Sequence, residues 1–433
     1  MPSFKEAAWV WLRVAALSFG GPAAQIATMH RIVVEEKRWV SDARFLHALN
    51  YCMLLPGPEA QQLSIYLGWL LHRTAGGLTA GLLFVAPGAL ALMGLSVVYV
   101  LYGQVGIVAG LFFGLKAGVL AVIAQAWLKL ARRALRSGAL RALAAASFVA
   151  LFFFHAPFPL VIALAGAVGA LALPAPPSAH GGDSVLGEET PAHARPSLGR
   201  FVRAVAIWGT VWLAPVAALW AILDPDNIFT RLATFFSGTA LITFGGAYSV
   251  LAFVAQQAVE RFHWLSAHEM LDGMGLAETT PGPLIMVLQF VGFLAAYRAP
   301  GALAPLLAGA LGGLLTTWVT FAPCFLWVFA GAPFVEALRG VKALSAALSA
   351  ISAAVVGVIL NLTVWLAIHT LFRETVVFHG VDAPVWQSVN LPAVALALAA
   401  ATALFATRAG ATMTLAASAL AGAALRGLGW VAA

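Results

Sequence analysis

The sequence predicts an all-α polytopic membrane protein made of two homologous halves, arranged as inverted-topology repeats that each hold broken or re-entrant half-helices. Composition, an internal repeat and the placement of charge carry that expectation. Of 433 residues, 62% are hydrophobic and 9% charged, with a mean hydropathy of +0.92. Soluble chains carry about a quarter charged residues. Apolar runs of about 20 residues recur without period-two alternation, so the spans are helices and not barrel strands.

The repeat is read from two phrases. Ser18-Phe19-Gly20-Gly21-Pro22 returns as Thr243-Phe244-Gly245-Gly246-Ala247, and Leu55-Pro56-Gly57-Pro58 returns as Thr280-Pro281-Gly282-Pro283. Gly20 to Gly57 and Gly245 to Gly282 are both 37 residues apart, and Trp39 and Ser41 fall on Trp264 and Ser266 at the same shift of 225. Beyond an 11-residue insertion around 295–305 the shift becomes 236, matching Ala86-Pro87 to Ala322-Pro323. Helix breakers duplicated inside apolar sequence are the pattern of a secondary transporter with its site between the repeats.

Full spans are expected at about 75–100, 106–128, 204–223, 303–329, 346–371, 390–407 and 411–431, and 142–173 reads as two short helices broken at His155-Ala156-Pro157. The halves divide as 1–173 and 200–433, joined by a flexible linker over 174–199, the one long polar stretch. Segments 7–36 and 45–71 are interrupted by Gly20-Gly21-Pro22 and Pro56-Gly57-Pro58. Each is either one broken span or a hairpin of half-helices.

Charge narrows the choice. Arg31, Lys37, Arg38 and Arg44 mark one cytoplasmic loop, and Lys129, Arg132, Arg133, Arg136 and Arg141 mark another. The two loops share a side only if 45–71 turns back. In the second copy the corresponding loops lose their basic excess, and Arg339 and Lys342 gather at the opposite end of the span 303–329. That reversal predicts inverted repeats. It also assigns the net charge of +7 to membrane orientation and leaves no case for nucleic acid.

A helix that starts at a proline within the bilayer leaves its first amides without partners, and such an end attracts anions. Four such ends, set beside glycines that allow backbone contact, predict a cradle for one oxyanion near mid-bilayer. The candidate binding residues are Ser18, Gly20, Gly21, Pro22, Gln25, Gly57, Pro58, Gln61 and Gln62 in the first copy. Thr243, Gly245, Gly246, Thr280 and Gly282 answer them in the second. Lys116 sits halfway along 106–128, beyond a lysine's reach to either interface, which predicts an anion-binding or charge-compensating role. Its counterpart is Ser352. Glu59 follows Pro58 without an acidic counterpart, and reads as a helix cap or a proton-coupling acid that pairs with Lys116.

Cys52 and Cys324 read as buried spectators, and the scattered His30, His47, His72 and His155 form no metal face. No enzyme motif, ATP loop, metal site or cofactor site is expected, so transport draws on an ion gradient or on membrane voltage. Gly110, Gly114 and Gly118 offer a small-residue face for packing within a chain or in a homodimer.

The strings SFGGPAAQIATMHRIVVEEKRWVSDARFLHALNYCMLLPGPEAQQLSIYLGW and TFGGAYSVLAFVAQQAVERFHWLSAHEMLDGMGLAETTPGPLIMVLQFVG closely resemble the chromate ion transporter family, in its long two-domain form. The resemblance implies export of chromate across the inner membrane, driven by voltage or a proton gradient, with sulfate as a second ligand of like shape and charge. Ala247 and Leu284 replace the proline and the acid of the first copy, which implies a site dominated by the first half. The rival readings are a transporter of sulfate or another oxyanion, an anion channel of the same fold, and a membrane-embedded enzyme, against which the lack of a redox-cofactor ligand set argues.

Overall fold

The computed structural model describes residues 2–19, 21–53, 55–103, 105–174, 197–244, 247–334, 342–378, 381–407 and 409–431. Gly20, Gly245, Gly246 and Arg339 lie outside them, as does nearly all of the expected linker. In order the helices are α1 (Phe4–Ala16), α2 (Gly21–His30), α3 (Asp42–Cys52), α4 (Glu59–Tyr102), α5 (Gly106–Ala134), α6 (Gly138–Phe154), α7 (Phe158–Ala172) and α8 (Leu198–Ile222). The second half gives α9 (Ile228–Ile242), α10 (Ala247–Gln256), α11 (Ala267–Thr279), α12 (Val287–Arg298), α13 (Pro305–Gly331), α14 (Lys342–Leu371), α15 (Leu391–Ala406) and α16 (Ala411–Gly427). A short antiparallel hairpin, β1 (Thr375–Phe378) and β2 (Val381–Pro384), follows α14. The protein is a helical, multi-pass membrane protein. Among the described residues, five helices are long and apolar enough to cross a bilayer: α4, α5, α8, α13 and α14.

The described chain forms two compact units, and each draws on both sequence halves. One holds Met1–Gly94, Pro176–Val250 and Thr280–Val341, and the other holds Leu95–Ala175, Leu251–Thr279 and Lys342–Ala433.

In the first unit both interrupted segments fold back. Lys37 Nζ reaches Glu6 Oε1 at 2.9 Å and Arg13 reaches Glu36 at 2.8 Å. A straight helix would separate residues 6 and 37 by roughly 46 Å at 1.5 Å per residue. So α1 and α2 form a hairpin. The rings of Tyr51 and Tyr66 meet at 5.7 Å, which likewise folds α3 against the start of α4 around Pro56-Gly57-Pro58. The expectation that 45–71 turns back holds.

Helix α4 itself is two helices. His72 and Arg73 leave helical geometry, and Arg73 takes a φ of +53°. A Cβ on Gly68 would lie 2.7 Å from Ala80 Cβ, and one on Gly81 would lie 2.5 Å from Ile65. Residues 59–71 and 74–102 therefore run side by side in opposite directions. Small residues permit this approach where lipid supplies no hydrophobic drive. The same device closes α12 on α13, where a Cβ on Gly312 would meet Ala296 at 2.5 Å. The 13 residues of 59–71 rise only about 20 Å, short of the ~30 Å hydrocarbon core, so this is a half-helix.

The local structure repeats as the sequence does. A π-helical turn closes α2 at Arg31–Glu36, and another closes α10 at Gln257–Arg261. Arg38 and His263, 225 apart, both adopt a φ of +52°. Trp39 N–H donates to Val33 O at 2.9 Å and Trp264 N–H to Ala258 O at 2.8 Å, again the same bond in each copy. Ser41 and Ser266 each accept the amide three residues on, capping α3 and α11.

Equivalent helices 74–102 and α13 pack antiparallel within the first unit. A Cβ on Gly77 would meet Phe329 at 2.8 Å, one on Gly81 would meet Phe325 at 2.8 Å, and one on Gly313 would meet Met93 at 3.1 Å. A shift of 236 carries 77 to 313 and 93 to 329, so the first and last contacts exchange.

In the second unit α5 packs on α11, α14, α15 and α16, and α14 packs on α6 and α7. Gly110, Gly114 and Gly118 meet Ala423, Gly422, Ser418 and Leu415 of α16, so this small-residue face is used within the chain.

Candidate functional site

The two phrases of the repeat come together in the first unit, each bound to the other copy. Gly57 N–H donates to Thr243 O at 2.8 Å, and Gly282 N–H donates to Ser18 O at 2.8 Å. A shift of 225 turns one bond into the other. The hydroxyls follow the same rule, since Ser18 Oγ donates to Val14 O at 2.6 Å and Thr243 Oγ1 to Thr239 O at 2.7 Å. Each proline loop also rests on the partner copy's long helix. A Cβ on Gly57 would lie 3.1 Å from Cys324 Sγ, and a Cβ on Gly88 would lie 2.5 Å from Pro281 O. Gly88 and Cys324 are themselves 236 apart.

Glycine is required at three of these turns. Gly21, Gly57 and Gly282 have φ of +81°, +127° and +99°, a region that side chains disfavour. The Gly57 and Gly282 amides, expected as free donors, are instead engaged by carbonyls of the other copy. The donors left by the start of α4 are the amides of Ala60 and Gln61, which have no acceptor within the helix, and Gln62 N–H already closes on Pro58 O. In the second copy Leu284 and Ile285 begin a short 3-10 turn in the same position. Pro58 precedes the first helical residue, and Pro22 is the second residue of α2.

Side-chain amides line the crossing. Gln25 Nε2 donates to Gly282 O at 2.6 Å, and Gln62 Nε2 donates to Pro56 O at 2.8 Å. Gln61 is fully buried, and neither its Nε2 nor its Oε1 has a hydrogen-bond partner; the same holds for Gln62 Oε1. Burying an unpaired amide costs about 1–3 kcal/mol. Its counterpart, Met286, has no such group. Ser18, Thr243 and Thr280 are buried here too. The Tyr248 hydroxyl approaches Gly21. Glu59 opens α4 as its first-turn acid.

Lys116 belongs to the second unit, and its partner is Asp272, not Glu59. Lys116 Nζ lies 3.3 Å from Asp272 Oδ1, with side-chain exposures of 19% and 7%. The contact is an ion pair without hydrogen-bond alignment, since Oδ1 has no bonded partner. Tyr99 donates its hydroxyl to Asp272 Oδ2 at 2.9 Å and rests edge-on against Phe112. Sequence reading passed over Asp272. The available signal was a carboxylate between Leu271 and Gly273 in an otherwise apolar stretch, where the first copy has His47.

Comparison with known proteins now bears on this arrangement. The family model described as Chromate transporter matches residues 5–170 and 230–423, one segment on each copy of the repeat. The chain belongs to the chromate transporter family. It is similar to the chromate transport protein of Pseudomonas aeruginosa, 33% identical over 366 residues that cover 82% of this chain and 79% of that one. The chromate transport protein of Cupriavidus metallidurans is 27% identical over 366 residues, 84% of this chain and 83% of that protein. The probable chromate transport protein of Synechococcus elongatus is 29% identical over 339 residues, 77% and 76% of the two chains. No solved structure gives a significant match.

Proposed function

We propose that this chain is a secondary transporter that exports chromate from the cytoplasm, as an inner-membrane protein and not an enzyme. The observation that carries this reading is the reciprocal crossing of the interrupted helices, together with the buried, unpartnered amide of Gln61 four residues after Gly57 in the same unit. Apart from Glu59 the candidate residues there are neutral, so the dianion is held by amides and helix ends in a dry setting, where such donors act strongly. Ser18, Gly21, Pro22, Gln25, Gly57, Pro58, Gln61 and Gln62 form the first-copy wall, and Thr243, Thr280 and Gly282 form the second, with Gly20, Gly245 and Gly246 outside the described residues.

Exchange of equivalent contacts is what a two-fold axis between the copies produces. Antiparallel packing of equivalent helices and the reversed loop charges support an axis in the bilayer plane, hence inverted repeats. The site is asymmetric, because Gln61 and Glu59 have no polar counterparts. Sulfate, with the same shape and charge, is a competing ligand.

Export of a dianion from a negative interior is downhill. Two charges crossing 100 mV release about 4.6 kcal/mol at ~2.3 kcal/mol per charge. Uptake of labelled chromate and sulfate into inside-out vesicles, with voltage and the proton gradient imposed separately, tests the reading. Saturable uptake driven by an inside-positive potential is expected. Conductance far above carrier turnover would make the protein a channel, and absence of chromate flux would end the proposal.

A further inference from the structure

The Lys116–Asp272–Tyr99 cluster holds a buried charge pair that the anion cradle does not use. A carboxylate inside a membrane bundle is retained where it handles charge. Asp272 is held from two sides, by the Lys116 ammonium at 3.3 Å and the Tyr99 hydroxyl at 2.9 Å. Its Oδ1 has no aligned donor, so a proton arriving there displaces no hydrogen bond. Charged and titratable groups surround the pair. His268 and Glu269 lie one turn earlier on α11, and the charges of Lys116, Glu269 and His369 act on His268. Glu278 follows on the same helix, Lys116 is the charged group of α5 facing it, and Arg426 of α16 lies beside Gly106 and Gly110.

Position on the chain supplies the link to transport. Asp272 stands about two helical turns before Thr280, and α11 leads directly into the Thr280-Pro281-Gly282 loop. We propose that Asp272, clamped by Lys116 and Tyr99, is the proton-binding site that couples anion transport to pH. The inference rests on the transport reading above. In the resting state the carboxylate and ammonium cancel. A proton from water converts Asp272 to the neutral acid, Lys116 keeps its own proton, and the cluster changes from net zero to net positive. The link runs along the chain from Asp272 to the Thr280-Pro281-Gly282 loop and is reciprocal, so proton and chromate favour each other's binding. Opening the pair frees α11 from α5 and moves the loop at its end.

Two measurements on the full-length protein in detergent test this. In weakly buffered solution with a pH indicator, the wild type takes up about one proton per chromate bound. Asp272→Asn binds chromate without proton uptake, and Asp272→Glu restores it. In ligand-free protein, infrared difference spectra between about pH 5 and pH 9 show a protonated-carboxyl band that Asp272→Asn lacks. Chromate binding without proton uptake in the wild type overturns the proposal, as does uptake that survives in Asp272→Asn and disappears in Glu59→Gln. If the wild type binds no chromate, the transport reading fails by itself. The ligand-free band still decides whether Asp272 takes the proton: its retention in Asp272→Asn sinks the assignment.

Discussion

Replacing Gly57 by alanine probes the crossing at its tightest point. At a φ of +127° an alanine is strained by about 1–3 kcal/mol. Its Cβ would also stand 2.7 Å from Gln62 Nε2, which is tied to Pro56 O at 2.8 Å. Displacing that amide forfeits a hydrogen bond of about 1 kcal/mol. The sum is roughly 2–4 kcal/mol against the folded loop. Gly282 has a φ of +99°, and its Cβ would come 3.3 Å from Gly88 Cα, so Gly282→Ala carries the backbone strain with a tight contact but no displaced hydrogen bond. Gly94 lies in α4 with open space around it, and Gly94→Ala is expected to be neutral or stabilising by up to ~1 kcal/mol. Thermal unfolding in detergent and chromate uptake into inside-out vesicles should both rank the variants Gly94→Ala, then Gly282→Ala, then Gly57→Ala. A Gly57→Ala protein as stable and active as Gly94→Ala would refute the claim that this turn needs a left-handed glycine closed against the Gln62 amide.

Gln61→Met installs the second copy's residue in the first. It removes a buried unpaired amide, so the unfolding midpoint should hold or rise, while chromate affinity falls by about 1.5–3 kcal/mol, roughly ten- to hundredfold. Equal affinity, read by isothermal titration, would take Gln61 out of the site. Lys116→Ala leaves the Asp272 carboxylate buried without its counter-ion, with only the Tyr99 hydroxyl on it, at a cost of about 3–5 kcal/mol, whereas Lys116→Met with Asp272→Leu should recover most of that stability. Lys129→Ala, which loses only an exposed contact to Gln125, should change unfolding by less than about 0.5 kcal/mol. Additive losses at 116 and 272 would show that the pair is not coupled. Glu59→Gln keeps a first-turn acceptor on α4, so chromate uptake should retain its pH dependence, and a flat pH profile would return the coupling proton to Glu59.

Much of the architecture was legible in the chain because its determinants are local. Apolar runs set the spans, and proline and glycine mark the breaks wherever they occur, so the duplicated phrases placed both interruptions in each copy. The charge of the loops was enough to turn 45–71 back before any coordinate was known. What required the tertiary structure were facts about pairing. Whether 7–36 crosses or returns was decided by ion pairs joining residues 31 and 23 positions apart, Lys37 to Glu6 and Arg13 to Glu36. That the Gly57 and Gly282 amides answer carbonyls of the opposite copy depends on how two distant segments meet. The partner of Lys116 lies 156 residues away, in a helix whose single aspartate carries no pattern of its own. Sequence records where a helix must stop; only packing determines which buried donor finds which acceptor, because an unsatisfied group in hydrocarbon takes whatever partner the fold brings within reach.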